Sequence, residues 1–163
     1  KRQDKEIMKI IKVDSYNIEK EKIKKIVKIL KKGGIIIFPT DTVYGIGTDA
    51  ENEESVNRLY QIKNRPRIKP LILFIEKKEE VLKFAQKIPL SAQKLINDFW
   101  PGPLTLIFRA SSSVPKSIIS EEGKIGIRFP DSKISCEIVK ESRVLLATTS
   151  ANVSGEVSPL KIE

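Results

Sequence analysis

Short apolar runs alternate along the chain with longer segments whose apolar residues recur at helical spacing, and this alternation restricts the possible folds more than any other feature. The runs are the size of strands, whereas a helix that crosses a bilayer needs about 20 apolar residues. They lie at residues 8–14, 34–38, 70–75, 104–109, 124–129 and 144–147. The helical patterns lie at residues 18–32, 53–63, 77–87, 90–99 and 132–141. Strands that alternate with helices predict one α/β domain with a sheet of mixed strand direction.

Two of these runs differ in the burial that they predict. Residues 34–38 (GIIIF) are apolar at almost every position, which is typical of a strand buried on both faces, and Pro39 ends the run. In residues 124–129 (KIGIRF) the apolar side chains occupy alternate positions, and Lys124 and Arg128 lie on the other side. This second pattern predicts a half-buried strand with a polar face.

The 163-residue chain contains no histidine and one cysteine, Cys136. A Ser-His-Asp triad, a Cys-His pair, a histidine-ligated zinc ion and imidazole acid–base catalysis are therefore excluded for this sequence. A single cysteine cannot form an internal disulfide, which favours the reducing cytoplasm as the location. Any catalysis must use cations, carboxylates, hydroxyls and backbone groups.

Positive charge is concentrated in two segments. The chain has 30 Lys and Arg against 21 Asp and Glu, a formal net charge of +9. Residues 1–32 account for +7 of this charge, and the lysines of the predicted helix there are most simply a solvated face. Residues 61–70 (QIKNRPRIKP) add four cations and no acid. A protein that wraps nucleic acid with its whole surface would spread its cations more evenly, so only the second segment suggests chemistry.

The basic segment contains two prolines, which disfavour helix at the residue before each of them. Alternate residues of an extended segment share a face, so the segment predicts one row of positive charge formed by Lys63, Arg65, Arg67 and Lys69. Such a row suits a polyphosphate. On composition alone, a solvated basic loop explains the residues equally well. Because Lys63 and Arg65 fall in this predicted loop, we expect alanine at either position to leave the fold intact.

Two further stretches rich in small polar residues follow predicted strands. Residues 39–47 (PTDTVYGIG) combine hydroxyls with two glycines that would let a ligand approach the backbone. Residues 147–155 (ATTSANVSG) continue directly from an apolar strand. Ligands of open α/β sheets bind where strands end. Taken separately, however, the first stretch is an ordinary polar turn, and the second is better explained as a turn that caps the next element.

Five ordered blocks, taken together, resemble the YrdC/Sua5 family of threonylcarbamoyl-AMP synthases. They are GGIIIFPTDTVYGIG at 33–47, KNRPRIKPLIL at 63–73, FWPGPLTL at 99–106, KIGIRFP at 124–130 and TTSANVSG at 148–155. The resemblance implies a twisted, open, mixed sheet flanked by helices, with a basic concave site. It also implies that residues 1–163 form one YrdC-like domain, and that the family's domain continues for a further segment that the chain lacks.

The same resemblance implies an activity. Members of the family condense L-threonine, bicarbonate or CO2, and ATP into L-threonylcarbamoyladenylate with release of pyrophosphate, which makes them nucleotidyltransferases. This is the first step in forming N6-threonylcarbamoyladenosine in tRNA. Partner transferase proteins then pass the threonylcarbamoyl group to the tRNA. ATP enters as a substrate together with Mg²⁺, and no organic cofactor or membrane is expected.

The family's site residues can be carried over by position. The threonine-binding positions correspond to Thr42, Arg128 and Thr148. The ATP-binding positions correspond to Arg65, Lys69, Lys124, Ser150, Asn152 and Ser158. Lys63 and Arg65 form the family's KxR signature and are the expected catalytic pair, and no protein metal ligand is expected. Phe74 stands where some relatives have a histidine, which removes one hydrogen-bond donor near the threonine.

Two other functions are compatible with this sequence. The first is a non-catalytic module of the same fold that binds double-stranded RNA or tRNA on a basic concave face. It would bind structured RNA in a salt-sensitive way that survives the loss of Ser150 or Thr42. The second is the YrdC-like domain of a carbamoyltransferase of hydrogenase maturation, which would require flanking domains.

Overall fold

The computed structural model describes residues 8–161. In this part of the chain six strands form one sheet: β1 (Ile36–Phe38), β2 (Gly45–Asp49), β3 (Ile72–Phe74), β4 (Leu106–Arg109), β5 (Lys124–Arg128) and β6 (Leu146–Ser150). The α-helices are α1 (Lys20–Lys31), α2 (Glu53–Ile62), α3 (Val81–Phe84), α4 (Leu90–Phe99) and α5 (Lys133–Ser142). Two 3-10 turns, Lys78–Glu80 and Lys116–Ile118, complete the described elements. None of the described helices is long and apolar enough to span a membrane.

The strand order across the sheet is β1-β2-β6-β3-β5-β4. Strands β3 and β5 run parallel to each other, and the other described neighbours are antiparallel. This arrangement confirms the predicted α/β class and the mixed strand direction. Helix α2 begins where the Asn52 side chain accepts a hydrogen bond from the Ser55 amide at 3.0 Å. Helix α1 ends at Lys31 and is terminated by Gly33, whose φ of +75° is a conformation that a residue with a Cβ rarely adopts.

Two apolar clusters lie on opposite faces of the sheet. The larger one takes Leu73, Ile125, Ile127 and Ala147 from the central strands. The smaller one lies between the sheet and helices α1 and α5, and it includes Leu146. Alternate residues of a strand point to opposite faces. The residues of β5 and β6 that alternate with Ile125, Ile127 and Ala147 therefore point to the face that carries the smaller cluster, which we call the second face. Part of that face is left open by the helices, because the Ile107 side chain on β4 is 71% exposed.

Three sequence predictions about strands were wrong. Residues 8–14 form no strand; Met8 and Ile10 are mostly exposed, and Val13 packs on the smaller cluster. Strand β1 is not buried on both faces, because it lies at the edge of the sheet and Ile37 is 48% exposed. The polar residues after Ala147 do not form a turn immediately. They extend β6 to Ser150, where the backbone is paired with β2.

Candidate active site

The open part of the second face forms the floor of the candidate site. Thr148 and Ser150 of β6 lie on this face, as do Lys124 and Arg128 of β5. In the sheet register Ser150 is opposite Gly45 on β2. A Cβ atom at position 45 would lie 3.2 Å from both the Phe38 ring and the Thr148 Oγ1 atom, so glycine fits the floor there without displacing these neighbours. The face therefore offers charged and hydroxyl groups above a closely packed backbone.

The guanidinium of Arg128 is held by groups from three segments. Its Nε donates to the Gly102 carbonyl at 3.2 Å, and its Nη2 forms an ion pair with the Asp41 carboxylate. The Thr42 hydroxyl lies 3.4 Å from Nη1 and 3.3 Å from Nη2. The guanidinium carbon also lies 5.8 Å from the centroid of the Phe74 ring. These contacts fix the Arg128 guanidinium at the edge of the open face, next to the Thr42 hydroxyl.

Asp41 contacts the candidate site through Arg128, and the sequence patterns did not single it out. The side chains of Asp41 and Arg128 are each 11% exposed. Asp41 lies in residues 39–47 (PTDTVYGIG), where it is the one acidic residue among several hydroxyl-bearing residues. This position was the only indication of a role that the sequence offered. That signal is weak, because an aspartate in a polar turn commonly bonds its own backbone. Only the long-range contact with β5 distinguishes it.

Thr148 is a buried part of the floor. Its side chain is 1% exposed, and its Oγ1 donates to the Ile46 carbonyl at 3.1 Å. The neighbouring 40–43 turn is shaped by Thr40, whose Oγ1 donates to the Val43 carbonyl at 2.6 Å and accepts from the Thr42 amide at 3.1 Å. Of the three threonine-binding positions implied by the resemblance, Thr42 and Arg128 are thus in contact, whereas Thr148 is buried on β6 with its hydroxyl bonded to the Ile46 carbonyl.

Lys63 is buried and joins α2 to the end of β6. Its ammonium donates to the backbone carbonyls of Ser150 and Asn152 and lies 3.4 Å from the Asn152 Oδ1 atom. The Ser150 hydroxyl donates to the same Oδ1 atom, and Lys63 is only 3% exposed. Burial, with a smaller contribution from the Arg65 charge, lowers the pKa of Lys63. The lysine therefore sets the position of Ser150 and Asn152, two of the six residues that the resemblance assigns to ATP.

The predicted row of four cations does not form. Asn64 has a left-handed φ of +48°, and the Lys69 amide donates to the Pro66 carbonyl at 3.0 Å, so the segment turns twice and is not extended. Arg65 folds back and donates from Nε to the Lys69 carbonyl at 2.9 Å and from Nη2 to the Pro70 carbonyl at 3.0 Å. Burial lowers the pKa of its guanidinium. The Arg65 side chain thus donates to nearby backbone carbonyls, which is possible because the segment turns back on itself.

The other cations of this segment are separated from Lys63 and Arg65. Arg67 stacks on Tyr60 with its guanidinium carbon 4.2 Å from the ring centroid, and it bonds the Asn57 side chain. Lys69 is exposed. Tyr60 also donates from its hydroxyl to the Lys69 carbonyl at 3.3 Å. In place of a continuous stripe, the segment thus has one buried lysine, one half-buried arginine, one arginine stacked on Tyr60 and one exposed lysine.

The remaining positions lie around the edge of the face. Lys124 is exposed at the start of β5 and is paired with Glu122. It lies at the same end of the sheet as Ser150, since β5 is parallel and β6 antiparallel to β3. The Cα atoms of Lys124 and Arg128 are about 13 Å apart at the usual strand rise. Ser158 precedes Pro159, whose carbonyl accepts from the Tyr44 amide at 2.9 Å, so it borders the 39–47 stretch.

Comparison with known proteins gives the same fold and names a family. The Sua5/YciO/YrdC family model, described as "Telomere recombination", matches residues 28–163. A threonylcarbamoyl-AMP synthase of Pyrococcus abyssi is 38% identical over 142 residues, which cover 87% of this chain and 42% of that protein. A Methanocaldococcus jannaschii relative is 42% identical, with 95% of this chain and 73% of that protein covered.

Solved structures agree with the sequence comparison. The crystal structure of P. abyssi Sua5 complexed with L-threonine matches with a TM-score of 0.83 at 38% identity, covering 88% of this chain and 42% of that one. Escherichia coli YciO matches with a TM-score of 0.80 at 25% identity, covering 86% of this chain and 68% of that one. The chain thus spans less than half the length of the P. abyssi protein. With a family match over most of its residues, the chain belongs to the Sua5/YciO/YrdC family.

Proposed function

We propose that the protein synthesises L-threonylcarbamoyladenylate from L-threonine, bicarbonate or CO2, and ATP, releasing pyrophosphate. The observation that carries this proposal is that one open face of the sheet has two groups suited to different parts of the substrates. One is the fixed guanidinium of Arg128 with the Thr42 hydroxyl, and the other is the Lys63-held Ser150 and Asn152. Relatives named threonylcarbamoyl-AMP synthases, one of them solved with L-threonine, support the choice of substrate.

The threonine would bind at Arg128. A guanidinium can donate two parallel hydrogen bonds to a carboxylate, which fixes both the position and the orientation of an amino acid. Thr42 would contact the polar groups of the substrate from its place beside the guanidinium. Thr148, whose hydroxyl is committed to the Ile46 carbonyl, would support the floor beneath the substrate. Its part in threonine binding would then be indirect.

The proposed reaction needs no protein nucleophile. The ammonium group of the bound threonine first gives a proton to water, and the neutral amine then attacks the carbon of CO2 and gives a second proton to water, which forms a carbamate. A carbamate oxygen then attacks the α-phosphorus of ATP, and the bond from that phosphorus to the pyrophosphate oxygen breaks. Charge grows on the phosphate oxygens during this step, and fixed cations and oriented donors stabilise it. A chain without histidine is suited to such a reaction, because positioning and electrostatics supply most of the catalysis.

ATP would bind at the Ser150 end of the sheet. We assign its contacts to Arg65, Lys69, Lys124, Ser150, Asn152 and Ser158. Arg65 would have to exchange its carbonyl partners for phosphate oxygens, whereas Lys63 would act by holding Ser150 and Asn152 in place. Among residues 8–161 no cluster of three acidic or cysteine side chains could hold a metal ion. Mg²⁺ would accordingly enter as part of the substrate, bound by the triphosphate oxygens.

The proposal extends to the role of the product. As a nucleotidyltransferase of this kind, the protein would hand its threonylcarbamoyl group to transferase partners that modify tRNA. We also propose a cytoplasmic location and a single YrdC-like domain for residues 1–163, as expected from the sequence. The names of the relatives favour the enzyme over a module that only binds RNA.

A pyrophosphate-release assay tests the proposed activity. The purified protein is incubated with ATP and Mg²⁺, and threonine and bicarbonate are omitted in turn. We expect release only when both are present, because the carbamate that attacks ATP contains both. Release that is independent of threonine, or no release from protein shown to be folded, would contradict the proposal.

Replacing Arg65 by alanine should reduce turnover about 100-fold, because charge-assisted bonds to the phosphates contribute roughly 1.5–3 kcal/mol each. The matched control is Arg67→Ala in the same segment, where the guanidinium stacks on Tyr60 and is not assigned to ATP. Steady-state assays at varied ATP concentration compare the two. Equal losses in both variants would mean that general positive charge matters, and would refute a specific role for Arg65.

A further inference from the structure

The carboxylate of Asp41 has unused hydrogen-bonding capacity beside the Arg128 guanidinium. Its Oδ1 atom accepts from the Arg128 Nη2, whereas its Oδ2 atom is buried and has no hydrogen-bond partner among the described residues. Among residues 8–161, no other buried side-chain oxygen or nitrogen lacks a hydrogen-bond partner. Buried polar atoms are nearly always paired, so an unpaired one points to a partner that binds at this place.

The charge of the pair indicates what that partner is. Arg128 and Asp41 form a nearly buried, electrically neutral pair at the edge of the open face. A ligand with only a carboxylate would add a net negative charge to this poorly hydrated place. A zwitterionic α-amino acid is neutral, and its two charges can face the two charges of the pair. Its carboxylate would lie at the guanidinium, and its α-amino group at the Asp41 carboxylate.

We infer that Asp41 is a specificity-determining residue that accepts a hydrogen bond from the α-amino group of the amino acid substrate. This inference rests on the proposed function, because it takes Arg128 as the carboxylate site. The Oδ1 atom keeps the ion pair, and Oδ2 turns to the incoming amino group. Asp41 would thereby select amino acids over acids that lack an amine, and would orient the nitrogen that must react with CO2.

A simpler role for Asp41 is to hold the Arg128 side chain in place. The two roles differ in their consequences for ligands. If Asp41 only positions Arg128, its loss weakens every carboxylate ligand to the same degree. If it contacts the amine, its loss weakens only ligands that carry an amine. A pair of ligands that differ in this one group therefore separates the two roles.

The test measures binding of L-threonine and (R)-3-hydroxybutanoate, which is threonine without its amino group, by calorimetry on the purified protein. With Asp41→Asn we expect threonine affinity to fall about 10- to 100-fold, the usual contribution of a charged hydrogen bond, and the affinity of the analogue to change little. The KM for ATP should be unchanged. Asp131→Asn, an exposed aspartate, is the matched control and should leave both affinities as in the wild type.

The outcomes separate this inference from the proposed function. A wild-type protein that does not bind threonine would overturn the proposed function and this inference with it. Wild-type binding that Asp41→Asn leaves unchanged, or that falls equally for both ligands, would overturn the inference alone. If Asp41→Asn loses its folded circular-dichroism spectrum, the same two ligands are compared on Asp41→Ser. The inference then requires that this variant lose more affinity for threonine than for the analogue.

Discussion

Replacing Arg128 by alanine is expected to reduce kcat/KM for threonine by about 100- to 1,000-fold, since a forked guanidinium–carboxylate contact supplies two charge-assisted hydrogen bonds. Arg128→Lys should recover only part of this loss, because an ammonium keeps the charge but cannot form the fork. Steady-state kinetics with varied threonine measures both. The KM for ATP should change much less, as Arg128 lies at the far end of β5 from the proposed nucleotide site.

Arg128→Ala should also destabilise the fold. The Asp41 carboxylate, which is 11% exposed when Arg128 is present, would lose its counter-ion, and breaking such a pair costs about 3 kcal/mol of the free energy of unfolding. Chemical denaturation measures this loss. Arg109→Ala, an exposed arginine on the neighbouring strand, is the control and should change the free energy of unfolding by less than about 0.5 kcal/mol. Full activity and stability in Arg128→Ala would refute both the substrate contact and the structural pair.

Replacing Lys63 by methionine is expected to lower both stability and turnover. Methionine fills similar volume but cannot donate, so the carbonyls of Ser150 and Asn152 would lose their buried partner. An unsatisfied buried acceptor costs about 1–3 kcal/mol, and two acceptors are involved. Because both contacts are only partly buried, we expect the lower part of the summed range, a loss of about 2–4 kcal/mol in the free energy of unfolding. ATP-dependent turnover should fall together with it, because the end of β6 would shift.

This prediction corrects the sequence-based one, in which alanine at position 63 leaves the fold intact. The reason is burial: Lys63 ends α2 but points into the protein, with only 3% of its surface exposed. Lys69→Met makes the same chemical change at an exposed position of the segment and should leave the free energy of unfolding within about 0.5 kcal/mol of the wild type. Equal stability of the two methionine variants would contradict the assignment of Lys63 as a buried clamp.

Local patterns predicted much of the fold. Helices α1, α2, α4 and α5 begin and end within two residues of the predicted bounds, because apolar spacing and terminal glycine or polar residues determine them locally. Strand β2 was missed for a local reason as well. Its sequence, GIGTD, contains two glycines and an aspartate, which have low strand propensity. Pairing with both β1 and β6 overrides that preference.

The sequence proposed candidate residues for the site but could not predict the contacts between them. The ordered blocks of the sequence identified Thr42 and Arg128, and the structure places their side chains together. No local pattern could show that Lys63 would bond to residues 87 and 89 positions later in the chain. The same holds for Asp41 and its ion pair with β5. The prediction that the basic segment is extended was wrong because Asn64 has a left-handed backbone and Arg65 donates to a nearby carbonyl, and both turn the chain. Residue spacing alone does not show such local hydrogen bonds.

The most direct test of the proposed synthase is to detect its product. The protein is incubated with threonine, ATP, Mg²⁺ and ¹³C-bicarbonate, and the quenched mixture is analysed by mass spectrometry. We predict an adduct of threonine and AMP that carries the ¹³C label and that disappears when threonine is omitted. Folded protein that binds threonine and ATP but forms no labelled adduct would contradict the central claim.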